Sequence, residues 1–120
     1  MDFKSNKPIY LQIVDFCFQK ILLKEWLEDD RIPSVRELGS LLQVNPNTAM
    51  RAFEYMQTAD IIYLKRGTGY FVQKGAIKQV LKLQKDEFFE NVLPETFESM
   101  GLLDISMDEV IEKYKKYKNK

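Results

Sequence analysis

The sequence predicts a mainly α-helical fold with one small β-hairpin, and three observations support this prediction. Apolar residues recur at three- and four-residue steps in segments that begin near Ile9, Ser34 and Pro46, which is the period of an amphipathic helix. Two β-prone runs, 61–65 and 70–73, flank a glycine-rich tetrad, as expected of a hairpin. The helical period then returns in the last third of the chain. The predicted order is therefore three helices, a hairpin and two further helices.

The first predicted helix runs from Ile9 to Leu27. Pro8 suits its first turn, where the missing N–H of proline has no cost. Its apolar stripe is broad, so we expect a core helix that is covered on two sides. The acidic cluster Glu28-Asp29-Asp30 is predicted to end the helix in a solvated turn.

Two helices separated by a tight turn are predicted next. Ser34 and Glu37 have the spacing of a capping box, so the second helix begins there and runs to about Gln43. Asn45 is a favourable N-cap and Pro46 a favourable first helical residue, so the third helix starts at once. The predicted buried face of the third helix consists of Ala49, Ala52, Phe53 and Met56.

The tetrad Arg66-Gly67-Thr68-Gly69 is predicted to form the hairpin loop, with positive φ at its glycines. After Gly75 the pattern is helical from Ile77 to about Leu103, and Pro94 within it should kink or break the helix. Ser106 and Glu109 form a second capping box that opens a last helix.

Composition excludes several functional classes. The chain has no histidine and a single cysteine, Cys17, so a zinc site built on Cys and His and an internal disulfide are both excluded. Cys17 lies among apolar residues and is predicted to be a small buried hydrophobe. We therefore predict no enzyme, no metal site and no cofactor. No apolar run approaches the roughly 20 residues of a membrane span and no signal pattern opens the chain, which favours a cytoplasmic protein with no membrane partner.

Total charge gives little indication of a nucleic-acid partner. Residues 1–75 carry ten Lys/Arg and nine Asp/Glu, a net charge of +1, and residues 76–120 carry eight and nine, a net charge of −1. The segment from Asp86 to Glu109 has eight acidic residues and no basic one, and five lysines follow it. An argument for DNA binding therefore has to rest on where individual charges lie.

Two short helices joined by a tight turn and followed by a hairpin are typical of a winged helix-turn-helix, which we predict for residues 1–75. In that fold the first turn of the third helix reaches base edges, and the hairpin tip approaches the DNA backbone. The residues predicted to contact DNA are Ser34, Arg36, Asn45, Asn47, Thr48, Arg51, Arg66, Gly67, Thr68 and Gly69.

For three of these residues a role without DNA is also open. Arg36 can instead form a surface ion pair with Glu37 or with an acidic residue of the tail. Asn45 is first of all a helix cap, and Arg51 can simply solvate an exposed helix face.

Four sequence blocks, in order over about 66 residues, resemble the GntR family of bacterial transcription regulators: Lys7-Pro8-Ile9-Tyr10-Leu11-Gln12-Ile13, Ile32-Pro33-Ser34-Val35-Arg36-Glu37-Leu38, Val44-Asn45-Pro46-Asn47-Thr48 and Arg66-Gly67-Thr68-Gly69-Tyr70-Phe71-Val72. The short tail is most similar to the YtrA subfamily. The resemblance implies a winged-helix domain in which Arg36, the start of the third helix and the wing tip contact double-stranded DNA. Many members have arginine where this chain has Pro46 and Met50, which predicts weaker guanine readout by the third helix.

Residues 76–120 are predicted to form a helical dimerisation segment, as the YtrA-like arrangement implies. Two amphipathic helices cannot bury both apolar stripes against each other alone, whereas pairing with a second copy buries them. The residues predicted to form this contact are Phe88, Phe89, Val92, Phe97 and Tyr114. The alternative is that the helices fold back onto their own winged domain.

The sequence thus predicts a homodimeric, sequence-specific transcription regulator, a repressor, that binds a pseudo-palindromic operator. Two alternatives remain: a winged-helix module for protein–protein assembly, and a small-molecule sensor without direct base readout. The short tail leaves little room for an effector pocket, although an effector could still act on dimer geometry.

Overall fold

The computed structural model describes residues 7–120, which divide into two compact units, the first ending at Lys82 and the second spanning Leu83–Lys120. The elements are α1 (Ile9–Leu22), α2 (Val35–Leu42), α3 (Pro46–Thr58), β1 (Ile62–Lys65), β2 (Gly69–Val72), α4 (Ala76–Glu87), a π-helical turn (Phe88–Val92), α5 (Leu93–Leu103) and α6 (Met107–Lys118). The prediction of a mainly α-helical fold with one hairpin is confirmed.

The core of the first unit forms where α1 and α2 pack against α3. The predicted buried face of α3 is confirmed, because all four of its apolar residues are fully buried. Cys17 of α1 is also fully buried, and burial raises the pKa of its thiol from the ordinary value of 9.0 to about 12. The thiol therefore stays protonated at neutral pH and acts as a small hydrophobe. The fully buried members of this core include Ile13, Cys17, Ile21, Leu38, Ala49, Ala52, Phe53, Met56 and Ile61.

The first helix is shorter than predicted, since α1 ends at Leu22 and not at Leu27. Lys24 has a φ of 61°, a left-handed conformation that stops the helix. The helical spacing of apolar residues continues past Leu22, but Leu23 and Leu27 are 63% and 50% exposed. Periodicity is therefore misleading here, because these leucines belong to an exposed turn.

The caps of α2 and α3 agree with the prediction. Ser34 Oγ accepts a hydrogen bond from the Glu37 N–H at 3.1 Å, and the Ser34 N–H donates to Glu37 Oε1 at 3.0 Å. At the start of α3, Asn45 Oδ1 accepts from the Asn47 N–H at 2.8 Å, and Pro46 follows in the first turn. Gln43, with a φ of 56°, makes the left-handed turn between the two helices. Both termini are thus set by local sequence.

The wing consists of β1 and β2, paired antiparallel with Ile62 opposite Val72 and Lys65 opposite Gly69. A third stretch, 29–32, pairs with the outer side of β2. The Asp29 N–H donates to the Val72 carbonyl at 2.8 Å, the Val72 N–H to the Asp30 carbonyl at 2.9 Å, and the Ile32 N–H to the Tyr70 carbonyl at 3.0 Å. The prediction of a solvated turn at 28–30 was therefore incomplete, because local sequence gives no signal for a pairing across some forty residues.

The second unit contains the π-helical turn, α5 and α6. Pro94 lies in the first turn of α5, directly after the π-helical turn. Proline has no N–H and its ring clashes with the carbonyl four residues earlier, and the wider turn accommodates both effects without ending the helical backbone. Ser106 caps α6 by accepting from the Glu109 N–H at 3.2 Å, which is one half of the predicted capping box. Within residues 7–120, no helix is long and apolar enough to cross a membrane.

Candidate nucleic-acid interface

The predicted DNA-contacting residues lie at three places in the first unit: the start of α2, the first turns of α3, and the loop between β1 and β2. At the start of α2, Ser34 is half-buried and serves as the N-cap, while Arg36 is exposed. The carboxylate of Glu37 is held by the capping box, and within residues 7–120 no acidic side chain lies within ion-pair distance of Arg36. The alternative of an Arg36–Glu37 ion pair is therefore absent from this part of the chain, and the Arg36 guanidinium is free to meet an external anion.

The first turns of α3 carry polar side chains on the surface opposite the buried face. Asn45 and Asn47 are exposed, and Thr48 is half-buried. The side-chain oxygen of Asn45 is occupied by its capping bond to Asn47, which leaves the Asn45 amide group as its available donor. One turn further along, Arg51 is exposed as well.

Arg51 is not simply solvated. Its guanidinium carbon lies 4.2 Å from the ring centroid of Tyr10 on α1, within the range of a cation–π contact. The pair forms part of an open groove of about 420 Å³. The residues that line this groove are Tyr10, Arg51, Glu54, Tyr55, Thr58 and Ala59. Tyr10 thus fixes the direction of a cation on α3.

The wing tip has the conformation that the sequence predicted. Gly67 and Gly69 have φ values of 78° and 132°, which is the left-handed region that favours glycine. The Thr68 N–H closes the loop on the Lys65 carbonyl at 2.9 Å. Arg66, Gly67 and Thr68 are exposed, and Gly69 is half-buried.

Two residues of this surface are not identified by the sequence patterns. Tyr10 contacts Arg51 across 41 positions of the chain, and Arg31 lies across Gly69, where a Cβ atom would come within 3.0 Å of Arg31 Nε. Both contacts join distant segments, so no local pattern reveals them. Tyr10 does lie in one of the four sequence blocks that resemble the GntR family, but that block alone does not indicate what the Tyr10 ring contacts.

The predicted dimerisation residues all lie in the second unit and are exposed in the single chain. The exposed fractions are 45% for Phe88, 61% for Phe89, 44% for Val92, 46% for Phe97 and 60% for Tyr114. Phe88 and Phe89 contact each other edge to face, with ring centroids 5.4 Å apart. In this unit, Leu83–Lys120, every residue is at least partly exposed.

A helix-turn-helix whose second helix presents polar side chains, followed by a hairpin with a cationic tip, defines a winged-helix DNA-binding protein. Residues 9–72 match the family described as bacterial regulatory proteins, gntR family. Since this match covers more than half of the 120 residues, the chain belongs to the GntR family.

Known relatives support the assignment along nearly the whole chain. The HTH-type transcriptional regulator YhcF of Bacillus subtilis is 36% identical over 115 residues, which is 96% of this chain and 93% of YhcF. The HTH-type transcriptional repressor YtrA of the same organism is 34% identical over 76 residues, 63% of this chain and 58% of YtrA. A GntR family transcriptional regulator from Listeria monocytogenes has a similar structure, with a TM-score of 0.77, 35% identity, and coverage of 95% of this chain and 98% of that one.

These findings determine the general function. The chain is a transcriptional regulator with a DNA-binding helix-turn-helix, and its family is one of regulators and not of enzymes.

Proposed function

We propose that this regulator is a homodimeric repressor that binds a pseudo-palindromic operator. Residues 1–75 form the DNA-binding part and residues 76–120 the dimerisation segment. The observation that carries the proposal is the pairing of a helix-turn-helix surface with a second unit whose aromatic side chains are exposed in the single chain.

The start of α3 is proposed to enter the major groove. Asn47 and Thr48 lie in its first turn, from which side chains reach base edges, and Arg51 follows one turn later. An asparagine amide pairs with adenine and an arginine fork with guanine, so these residues supply the sequence-reading contacts. Because Pro46 and Met50 are uncharged, Arg51 carries the positive charge of this face.

Backbone contacts are proposed at both sides of α3. The N–H groups at the start of α2 and the partial positive charge of its N-terminus favour a phosphate, and Arg36 adds a full charge beside them. At the wing, Arg66 supplies charge, while Gly67, Thr68 and Gly69 bring bare backbone close to the strand. Such contacts fix the register of α3 on the duplex but carry no sequence information themselves.

The second unit is proposed to pair with its copy. Phe88, Phe89 and Val92 lie in the π-helical turn, Phe97 in α5 and Tyr114 in α6. All five are exposed in the single chain, and exposed apolar side chains concentrated in one unit favour an interaction site. A closed two-fold dimer buries the same patch on both copies, and it matches two half-sites related by two-fold symmetry. Each winged-helix domain of the proposed dimer thereby binds one half-site of the symmetric operator.

Repression is proposed because YtrA of Bacillus subtilis, a relative of this chain, is named a repressor. A dimer that occupies an operator blocks other proteins from the same DNA without any chemistry of its own. The proposed location is the cytoplasm, where a bacterial operator is accessible.

In vitro selection of DNA bound by the full chain from a random pool tests this proposal. We expect a motif with two-fold symmetric half-sites about one or a few helical turns apart. Enrichment of a single asymmetric half-site would contradict the dimer, and no enrichment would contradict sequence-specific binding. A titration with salt separates DNA binding from protein–protein assembly, because counterion release makes DNA affinity fall steeply as salt rises.

A further inference from the structure

We propose that Arg31 is a DNA phosphate contact of the wing, and that Gly69 is glycine in order to seat the Arg31 guanidinium. This inference extends the proposed function, since it adds a residue to the DNA-contacting surface and changes the role assigned to Gly69.

The backbone of Arg31 belongs to the wing although its sequence position precedes α2. Arg31 forms an antiparallel bridge with Phe71 of β2, and the next residue, Ile32, donates its N–H to the Tyr70 carbonyl at 3.0 Å. Arg31 is therefore fixed beside β2, three residues before the cap of α2 at Ser34. Arg31 therefore belongs to the segment that connects the wing to the start of α2, and both places are proposed to contact DNA.

The guanidinium group of Arg31 lies against Gly69. A Cβ atom built on Gly69 would lie 3.0 Å from Nε, 3.6 Å from Nη2 and 3.7 Å from Cζ of Arg31, so three atoms of the guanidinium group span the glycine. At Gly67, by contrast, a Cβ atom would meet nothing within 4 Å. The two glycines of the tip thus differ. Glycine at 67 is favoured by the positive φ of the turn, whereas glycine at 69 is favoured both by its φ of 132° and by the Arg31 side chain that lies against it.

The charge of Arg31 is available to an external anion. Arg31 is exposed, and no acidic side chain within residues 7–120 comes within ion-pair distance of it. The neighbouring carboxylates have other partners, because Asp29 Oδ1 accepts from the Tyr63 hydroxyl at 3.0 Å and Asp30 Oδ2 from the Leu27 N–H at 2.8 Å. Glu37 is close enough for Arg31 to help lower its pKa, but its carboxylate bonds Ser34.

The surroundings favour a nucleic-acid strand as the partner. The 25 residues from Ile61 to Lys85 contain no acidic residue, and Lys65 and Arg66 stand on the same hairpin. A guanidinium group is planar, always charged and rich in N–H donors, which suits a phosphodiester oxygen pair. Because it packs against the wing at Gly69, Arg31 is expected to lose less side-chain freedom on binding than an arginine without such a contact.

The dependence of DNA affinity on salt concentration measures such a phosphate contact directly. Each phosphate contact steepens the slope of log affinity against log salt by about 0.9, so a fourfold rise from about 50 mM to about 200 mM salt costs about 3.5-fold in affinity per contact. Arg31→Ala removes one such contact from each protomer of the proposed dimer. We therefore expect its affinity, measured by fluorescence anisotropy on the selected operator, to fall about 12-fold less than that of the wild type over that range. Arg31→Lys should keep the slope, because it keeps the charge. Lys78→Ala, which removes one charge from the exposed face of α4, is the control for net charge.

Gly69→Ala tests the seat itself. We expect Gly69→Ala to displace the guanidinium and to flatten the salt slope as Arg31→Ala does. Gly75→Ala, at a glycine outside the wing tip that also has positive φ but open space, should leave the slope unchanged. In the Arg31→Ala background, Gly69→Ala should have no further effect on the slope. Thermal unfolding of each variant confirms that the wing is folded.

The outcomes are distinguishable. If the wild-type chain shows no salt-dependent, sequence-selective binding, the proposed function fails and the role of Arg31 falls with it. If the wild type binds and Arg36→Ala weakens binding, but Arg31→Ala keeps the wild-type slope, only the assignment of Arg31 is overturned. A lower unfolding midpoint with an unchanged slope would likewise overturn it, since Arg31 would then be a structural residue.

Discussion

The Arg51 guanidinium lies 4.2 Å from the Tyr10 ring centroid, so a residue of the first helix restrains a cation on the recognition helix. The recognition helix of this chain has few cations, because Pro46 and Met50 are uncharged. A single cation whose direction is fixed loses less conformational freedom on binding than a free one. The pair therefore compensates in part for the small number of charges on α3.

This relationship predicts the effect of removing the ring. Tyr10→Ala should weaken operator binding by ~0.5–1 kcal/mol, the size of an exposed cation–π contact, whereas Tyr10→Phe should retain affinity because it keeps the ring. Gel-shift titration at fixed salt measures both. In an Arg51→Ala background, Tyr10→Ala should have no further effect; an equal loss in both backgrounds would show that the ring acts independently of Arg51.

The proposed base and backbone contacts predict the effects of single truncations. Arg51→Ala should weaken operator binding by ~1–3 kcal/mol, the size of a bidentate pair with a base. Arg36→Ala should weaken binding to all sequences alike, because a phosphate contact carries no sequence information. Lys113→Ala, in the exposed last helix, is a control that removes one charge. Unchanged affinity at fixed salt removes that arginine from the interface.

The exposed aromatic residues of the second unit predict the oligomeric state. Phe89→Asp should convert the dimer to a monomer, because it places a charge in the proposed apolar interface, and its 61% exposure means that the single chain loses little packing. Light scattering coupled to size exclusion measures the mass. Leu23→Asp makes a similar change at a 63% exposed leucine of the first unit and should leave the dimer intact. A Phe89→Asp variant that stays dimeric would move the interface elsewhere.

The capping box of α2 predicts a dependence of stability on acid. Backbone and side-chain hydrogen bonds with Ser34, and then the charge of Arg31, lower the pKa of Glu37 from its ordinary value of 4.5. Because the folded-state pKa is depressed, this stabilisation is complete above the unfolded pKa of about 4.5 and is lost as pH falls through the folded value. Glu37→Gln should show a smaller decrease of the thermal midpoint on acidification. Identical pH profiles for the two proteins would contradict this account.

The capping box of α2 also predicts the effect of removing its other member, Ser34. Ser34→Ala should lower the free energy of unfolding by ~1 kcal/mol, since it leaves the Glu37 N–H without its capping oxygen. Chemical denaturation measures the loss. Ser106→Ala, at the cap of α6, makes the same change in the second unit and should leave the unfolding of the first unit unchanged.

The sequence predicted those features that depend on a few neighbouring residues. The caps at Ser34 and Asn45, the buried face of α3 and the positive φ of Gly67 and Gly69 each follow from local rules, and each is confirmed. The exposure of Arg36, Asn47 and Arg51 follows from the helical periodicity of α2 and α3. Local rules also left the effect of Pro94 open, and the structure resolves it as a wide helical turn.

Contacts between distant segments were beyond such rules. The seat of Arg31 on Gly69 and the ring of Tyr10 beside Arg51 both join residues that are far apart in the chain. The end of α1 at Leu22 was missed for another reason, because the apolar spacing continues past it while Lys24 adopts a left-handed conformation. Apolar spacing alone does not reveal such a turn.

The pairing of residues 29–32 with β2 also makes the wing depend on a distant segment for its stability. A two-stranded hairpin is at best marginally stable alone in water, and here its third partner lies about forty residues earlier in the chain. Closing that loop has an entropic cost, which the packing of the intervening helices α2 and α3 helps to offset. We therefore expect that a hairpin cut from this chain would not hold its shape alone.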